Sequence, residues 1–172
     1  MNRTYSRYID NYENYNIWHF RTVITLIICV AIPLIVGGVA SIITRSAMIS
    51  FDSMVKPPLA PPAWLFPIAW TVLYVLMGIA SFLIYRSSDD SHYIGMVVYV
   101  LQLIFNFVWS LLFFKLNAYT FAFVWLAMLL FMVIALIANT ARYSKPAMIM
   151  LIPYAAWCGF ALYLNIGIAV LN

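Results

Sequence analysis

Five uninterrupted runs of 21 to 25 residues, at positions 23–43, 64–85, 93–114, 119–141 and 147–171, contain no Asp, Glu, Lys, Arg or His. A helix rises about 1.5 Å per residue, so roughly 20 apolar residues cross the hydrocarbon core of a bilayer. The runs are apolar throughout, which excludes the roughly ten-residue alternation of a membrane barrel. Composition agrees: 66% of the 172 residues are hydrophobic and 8% charged, too few charges to cover a soluble domain. The chain reads as all-α, an integral membrane bundle of five transmembrane helices over 23–172, preceded by a polar extension at 1–22. A cleaved signal peptide does not fit the start. Asp10 and Glu13 precede the first run, which is about twice the length of a signal core.

Five spans place the N-terminus and the second and fourth loops on one side, with Arg3, Arg7, Arg21, Arg86, Arg142 and Lys145. The other side has Arg45, Lys56 and Lys115. Six cations against three orient the N-terminus to the cytoplasm and the first loop outward in a cell membrane, a bacterial plasma membrane by default. The net charge of +4 reflects this bias and contact with anionic headgroups, not nucleic acid, for which there is no clustered basic stripe. Cys29 and Cys158 fall in mid-span without CxxC spacing or a nearby His, and read as small apolar residues. Tyr5, Tyr8, Tyr12 and Tyr15 recur every three or four residues ahead of Trp18. That pattern fits a short interfacial helix or, equally, a polar and disordered tail.

The later loops are short, which forces sequential spans to lie antiparallel in one compact bundle. The first loop, 44–63, is longer and carries the segment KPPLAPP at 56–62. Proline fixes φ and removes a backbone donor, so this loop is stiff, and Pro61 and Pro62 suit a helix start. Lys56, Pro57, Leu59, Pro61, Pro62 and Trp64 form the candidate lid of the bundle. The absence of an internal repeat disfavours an inverted-repeat transporter.

Polar and aromatic side chains within a span are costly in lipid and point inward. On the third span Tyr99, Gln102, Asn106 and Trp109 fall within one arc of about 80°. Phe66, Trp70, Tyr74, Met77 and Ser81 share a stripe on the second, as do Tyr154, Trp157, Ala161, Leu164 and Asn165 on the fifth. One such stripe is ordinary packing, and its amides are interhelical glue. Three of them below a rigid loop outline a mostly apolar pocket with a few polar groups, which suits a flat, greasy ligand. Parts for proton pumping or hydrolysis are missing: there is no intramembrane carboxylate pair and no Ser–His–Asp set.

The stretch KPPLAPPAWLFPIAWTVLYVLMGIASFLIY resembles the first loop and second helix of the translocator protein, or tryptophan-rich sensory protein (TspO), family. YVLQLIFNFVWSLLFF resembles its third helix, through Gln102, Asn106 and Trp109. LIPYAAWCGFALYLN resembles its fifth, through Pro153, Tyr154, Trp157, Phe160 and Asn165. The resemblance covers 23–172 and implies a five-helix bundle, commonly a homodimer, that binds porphyrins such as protoporphyrin IX, and also sterol or benzodiazepine-type ligands. It implies no cofactor beyond the porphyrin ligand. The implied pocket falls at Phe66, Trp109, Trp157, Ala161 and Leu164, with loop 1 folded over it.

Three departures qualify that transfer. A loop tryptophan of many members is Leu59 here, which weakens the alternative of a light-dependent porphyrin-degrading enzyme. A second alternative, transport of porphyrin or sterol, lacks a visible polar path. Pro67 stands three residues before Trp70, one position earlier than in the family pattern. The ending LNIGIAVLN lacks the aromatic and basic residues of a sterol motif. Gly37-x-x-x-Ser41 is a small-residue candidate for the dimer face or for packing within the bundle.

Overall fold

The computed structural model describes the backbone of residues 3–52 and 54–172 and the side chains of residues 19–47 and 54–172. Five helices follow in order: α1 (Arg3–Asp52), α2 (Leu65–Tyr85), α3 (His92–Ser110), α4 (Tyr119–Thr140) and α5 (Lys145–Leu171). All five contain a stretch long and apolar enough to cross a membrane, the first from His19 to Ala47. The side chains of Tyr5, Tyr8, Tyr12, Tyr15 and Trp18, expected at headgroup level, lie outside the described residues.

The helices form a ring in the order α1, α2, α5, α4, α3, with α3 returning to α1. Inside it, Met77, Ala80, Ile84, Leu126, Leu136, Leu151 and Tyr154 are fully buried. Large apolar side chains also cover the outside, among them Ile27, Ile35, Ile42, Ile104 and Phe131. Such a surface would aggregate in water and is what lipid requires. Along α1 and α2 the backbones meet closely. Pro33 has no N–H for the carbonyl of Cys29 four residues earlier, and Gly78 of α2 faces that carbonyl. A Cβ on Gly78 would lie 2.8 Å from the Cys29 oxygen and 2.5 Å from the Val30 Cα.

Two boundaries differ from expectation. The first loop does not begin at residue 44, because α1 continues to Asp52. Residues 44–52 hold no proline or glycine, so nothing in them breaks the helix where the apolar run ends. Pro61 and Pro62 do not open α2 either. Leu65 donates to the Pro62 carbonyl at 3.0 Å, and the helix begins at Leu65, beyond both prolines. At the far end of α3, Leu111–Lys115 widen into a π-helical turn, where Leu116 N–H reaches the Leu111 carbonyl at 3.0 Å.

Loop 1 is pinned across the ends of α4 and α5. The Asn172 side-chain amide pairs with the Val55 backbone in both directions, at 3.1 and 3.0 Å. Tyr163 donates its hydroxyl to the Pro58 carbonyl at 2.6 Å, and Tyr119 reaches the Met54 sulfur at 3.5 Å. Gly167 leaves room for Pro57, whose ring carbons lie 2.6 Å from where a Cβ would sit. A turn closed by Ala60 N–H on the Pro57 carbonyl at 3.2 Å puts Leu59 at φ 68°. That is the left-handed position of a type II turn, which favours glycine or asparagine.

Candidate functional site

Trp70 is the hub of the ring-lined interior. Its indole stacks on Tyr74 at a centroid distance of 5.5 Å and tilts against Trp109 at 6.0 Å. It meets Tyr154 and Trp157 edge-on at 6.3 and 6.4 Å. Phe66 closes the group on Trp157 at 6.1 Å. The offsets 66, 70 and 74 are one helical turn apart, which is why α2 presents these rings in a column.

The polar residues of the three stripes join up behind these rings. Tyr74 donates its hydroxyl to Asn106 Oδ1 at 2.7 Å, and Asn106 Nδ2 donates to the Tyr154 hydroxyl at 3.2 Å. Tyr154 in turn donates to Gln102 Oε1 at 2.9 Å. Nearer loop 1, Trp109 Nε1 donates to Asn165 Oδ1 at 3.3 Å, and Asn165 Nδ2 to the Tyr119 carbonyl at 2.8 Å. These bonds tie α2, α3, α4 and α5 together in a medium where unmade bonds are expensive. Among the described residues, three buried donors, the Tyr99 hydroxyl, Gln102 Nε2 and Trp157 Nε1, have no hydrogen-bond partner.

A cavity of about 230 Å³ lies on the other side of Trp70, against α1. Phe66, Trp70, Tyr74 and Trp109 line it, four of the twelve residues expected at a ligand site. Gln102, Asn106, Tyr154, Trp157, Ala161, Leu164 and Asn165 do not line this cavity; all but the half-buried Trp157 are buried in the core. Tyr99 lies apart from it, with Cys29 and Ser81 on a separate apolar groove of about 430 Å³ between α1 and α3. None of Lys56, Pro57, Leu59, Pro61, Pro62 and Trp64 lines the cavity, and Leu59 and Trp64 point outward, 83% and 65% exposed.

The wall that sequence reasoning missed is α1, through Leu34, Gly37, Gly38, Ala40, Ser41 and Thr44. Small residues at three- and four-residue spacing were the available signal. Gly37 serves the bundle rather than a free face, since a Cβ there would run into the Tyr74 ring. The π turn was also unreadable. It brings both Phe113 and Phe114 onto Trp109, at 5.5 and 6.2 Å, because a wider turn carries the fifth residue back to the same face.

Fold and site define a polytopic α-helical membrane protein with an aromatic cavity among its spans. Residues 29–171 match the sequence profile of the TspO/MBR family. The chain belongs to that family. It is 34% identical over 155 residues to the tryptophan-rich protein TspO of Chlorobaculum tepidum, covering 88% of this chain and 98% of that one. Identity to the tryptophan-rich protein TspO of Archaeoglobus fulgidus is 33% over 151 residues, covering 87% and 98%. The translocator protein homolog of Schizosaccharomyces pombe is 36% identical over 126 residues, covering 71% and 77%.

Proposed function

We propose that this TspO/MBR-family membrane protein is a receptor or sensor that binds a flat, largely apolar ligand among its helices, with a porphyrin such as protoporphyrin IX as the leading class. The observation that carries this reading is the Trp70-centred cage, in which Phe66, Trp70, Tyr74 and Trp109 face a cavity. Stacked rings bind flat π-systems without requiring many hydrogen bonds. The cavity of about 230 Å³ is smaller than the roughly 300–1,000 Å³ of drug-sized ligand sites. A tetrapyrrole therefore requires the cavity to widen, and Trp70, which meets Tyr154 and Trp157 only through ring contacts, is the side chain that can move. Arg45 and Lys56 supply positive charge for carboxylate substituents near loop 1.

We further propose, from the six-to-three cation bias and from family membership, a cell-membrane location with loop 1 outside and a homodimeric state. The test is titration of the purified protein with protoporphyrin IX while tryptophan emission is followed. Saturable quenching is expected, and the Trp109→Ala, Trp157→Ala double variant should bind at least about tenfold more weakly, as hot-spot aromatics do. Equal affinity in that variant refutes the pocket. Illumination of the complex separates a receptor from a photo-oxidative enzyme, since the enzyme would leave a new bilin-like absorbance.

A further inference from the structure

The cavity is lined by none of the described residues of loop 1. Its exposed lining residues are Gly38 and Ser41 of α1 and Pro67 and Thr71 of α2, and each pair stands about one turn apart on its helix. The remaining lining is buried or half-buried. A Cβ built on Gly38 meets nothing within 4 Å, so this mouth is open space, not a seam between packed side chains. Further along, where Gly78 meets Val30, the same two helices touch backbone to backbone. The cleft between α1 and α2 is therefore closed at that contact and open at the level of Gly38. Both mouth pairs lie within membrane-crossing segments, His19–Ala47 and Leu65–Tyr85, so the cleft faces acyl chains.

We infer that the ligand reaches the cavity sideways from the bilayer, through the α1–α2 cleft, and that loop 1 is a fixed cap. This rests on the ligand-binding reading above and adds the route to it. The cap is held by groups unrelated to the mouth: Asn172 on Val55, Tyr163 on Pro58, and Pro57 seated on Gly167. An apolar ligand is already concentrated in lipid, and lateral passage spares it a return to water.

The test uses protoporphyrin IX in liposomes mixed with proteoliposomes of the full chain, following tryptophan quenching by stopped flow. Gly38→Phe and, separately, Thr71→Phe place a bulky ring at the mouth, on α1 and on α2 in turn. A narrowed passage should lower kon by about tenfold in each variant, whereas a side chain that only touched the bound ligand would change koff and leave kon alone. Loosening the cap with Asn172→Ala and Tyr163→Phe together should leave kon unchanged. An unchanged kon in both mouth variants, or a faster kon in the loosened-cap variant, overturns the lateral route while leaving the binding reading intact. No saturable quenching in the wild-type chain overturns both. Thr71 is exposed on α2, so its variant reports even where Gly38→Phe fails to fold.

Discussion

Asn106 and Tyr74 provide the sharpest quantitative test of the bundle. Asn106 makes two side-chain bonds, accepting from Tyr74 at 2.7 Å and donating to Tyr154 at 3.2 Å. Asn106→Leu keeps a side chain of similar size, removes both bonds and strands the Tyr74 hydroxyl proton at a buried site. Interhelical hydrogen bonds in membranes average about 0.6 kcal/mol and reach about 1.7, while a stranded buried donor costs about 1–3 kcal/mol. The single variant should lose about 1–3 kcal/mol. Tyr74→Phe removes one bond and should lose about 0.6–1.7 kcal/mol. The double variant loses the shared bond once and has no stranded hydroxyl, so it should be less destabilised than the sum by about 0.6–1.7 kcal/mol.

The assay is reversible unfolding in bicelles on titration with a denaturing detergent, run on the wild type, both singles and the double. Additivity within about 0.3–0.5 kcal/mol is what independent sites give. A coupling energy inside that band would refute the inference that these two groups are bonded to each other in the membrane. Tyr154→Phe is a useful control. It breaks the chain one link further on and should couple to Asn106→Leu but less strongly, because that bond is longer.

Gly78→Ala should destabilise the protein by about 1–3 kcal/mol, the usual penalty of overpacking. The new methyl would meet α1 backbone at 2.5 and 2.8 Å where carbon atoms rest at about 3.5–4.0 Å, so the helices must part by about 1 Å. A lower melting temperature in micelles checks it, and an unchanged one argues against the close approach. Leu59→Gly should act in the opposite direction. Leu59 sits at φ 68° with its side chain 83% exposed, so the substitution relieves about 1–2 kcal/mol of left-handed strain and loses little packing. Part of that gain is cancelled by the greater freedom of glycine in the unfolded chain. The net rise in stability is best read by thermal unfolding, and a fall would show that the Leu59 turn is not strained.

Span number, loop order and the inward polar faces were legible because each follows from a local rule. Uncharged runs long enough to cross a bilayer leave one solution for the backbone, and Gln102, Asn106 and Tyr154 have few alternatives to pairing with one another in lipid. The cavity was harder to read because it depends on relations between helices. Trp70 could have rested on either side of α2. It packs its edge against Trp157 and leaves its space toward α1, where Gly37 and Gly38 keep the wall thin. The end of α1 is hidden in the sequence for a simpler reason. Hydropathy marks where a membrane stops, whereas a helix stops where its backbone runs out of partners, and nothing in residues 44–52 compels that. The π turn at Leu111–Lys115 has no compositional signature at all, yet it decides which phenylalanines touch Trp109.

Tyr74 links the two halves of this structure. Its ring faces the cavity and packs on Gly37 of α1, while its hydroxyl begins the chain through Asn106 and Tyr154 to Gln102. A ligand arriving between α1 and α2 presses first on Tyr74 and Trp70, which stack on each other at 5.5 Å. Displacing Trp70 breaks ring contacts with α3 and α5 but no hydrogen bond of the chain, whereas displacing Tyr74 breaks its strongest link. The less costly response is therefore for Trp70 to move and Tyr74 to stay. That would enlarge the cavity without loosening the polar ties that hold α2, α3 and α5 together. On this account the ring hub is the adjustable part of the site, and the buried hydroxyl–amide chain is the frame that lets it adjust.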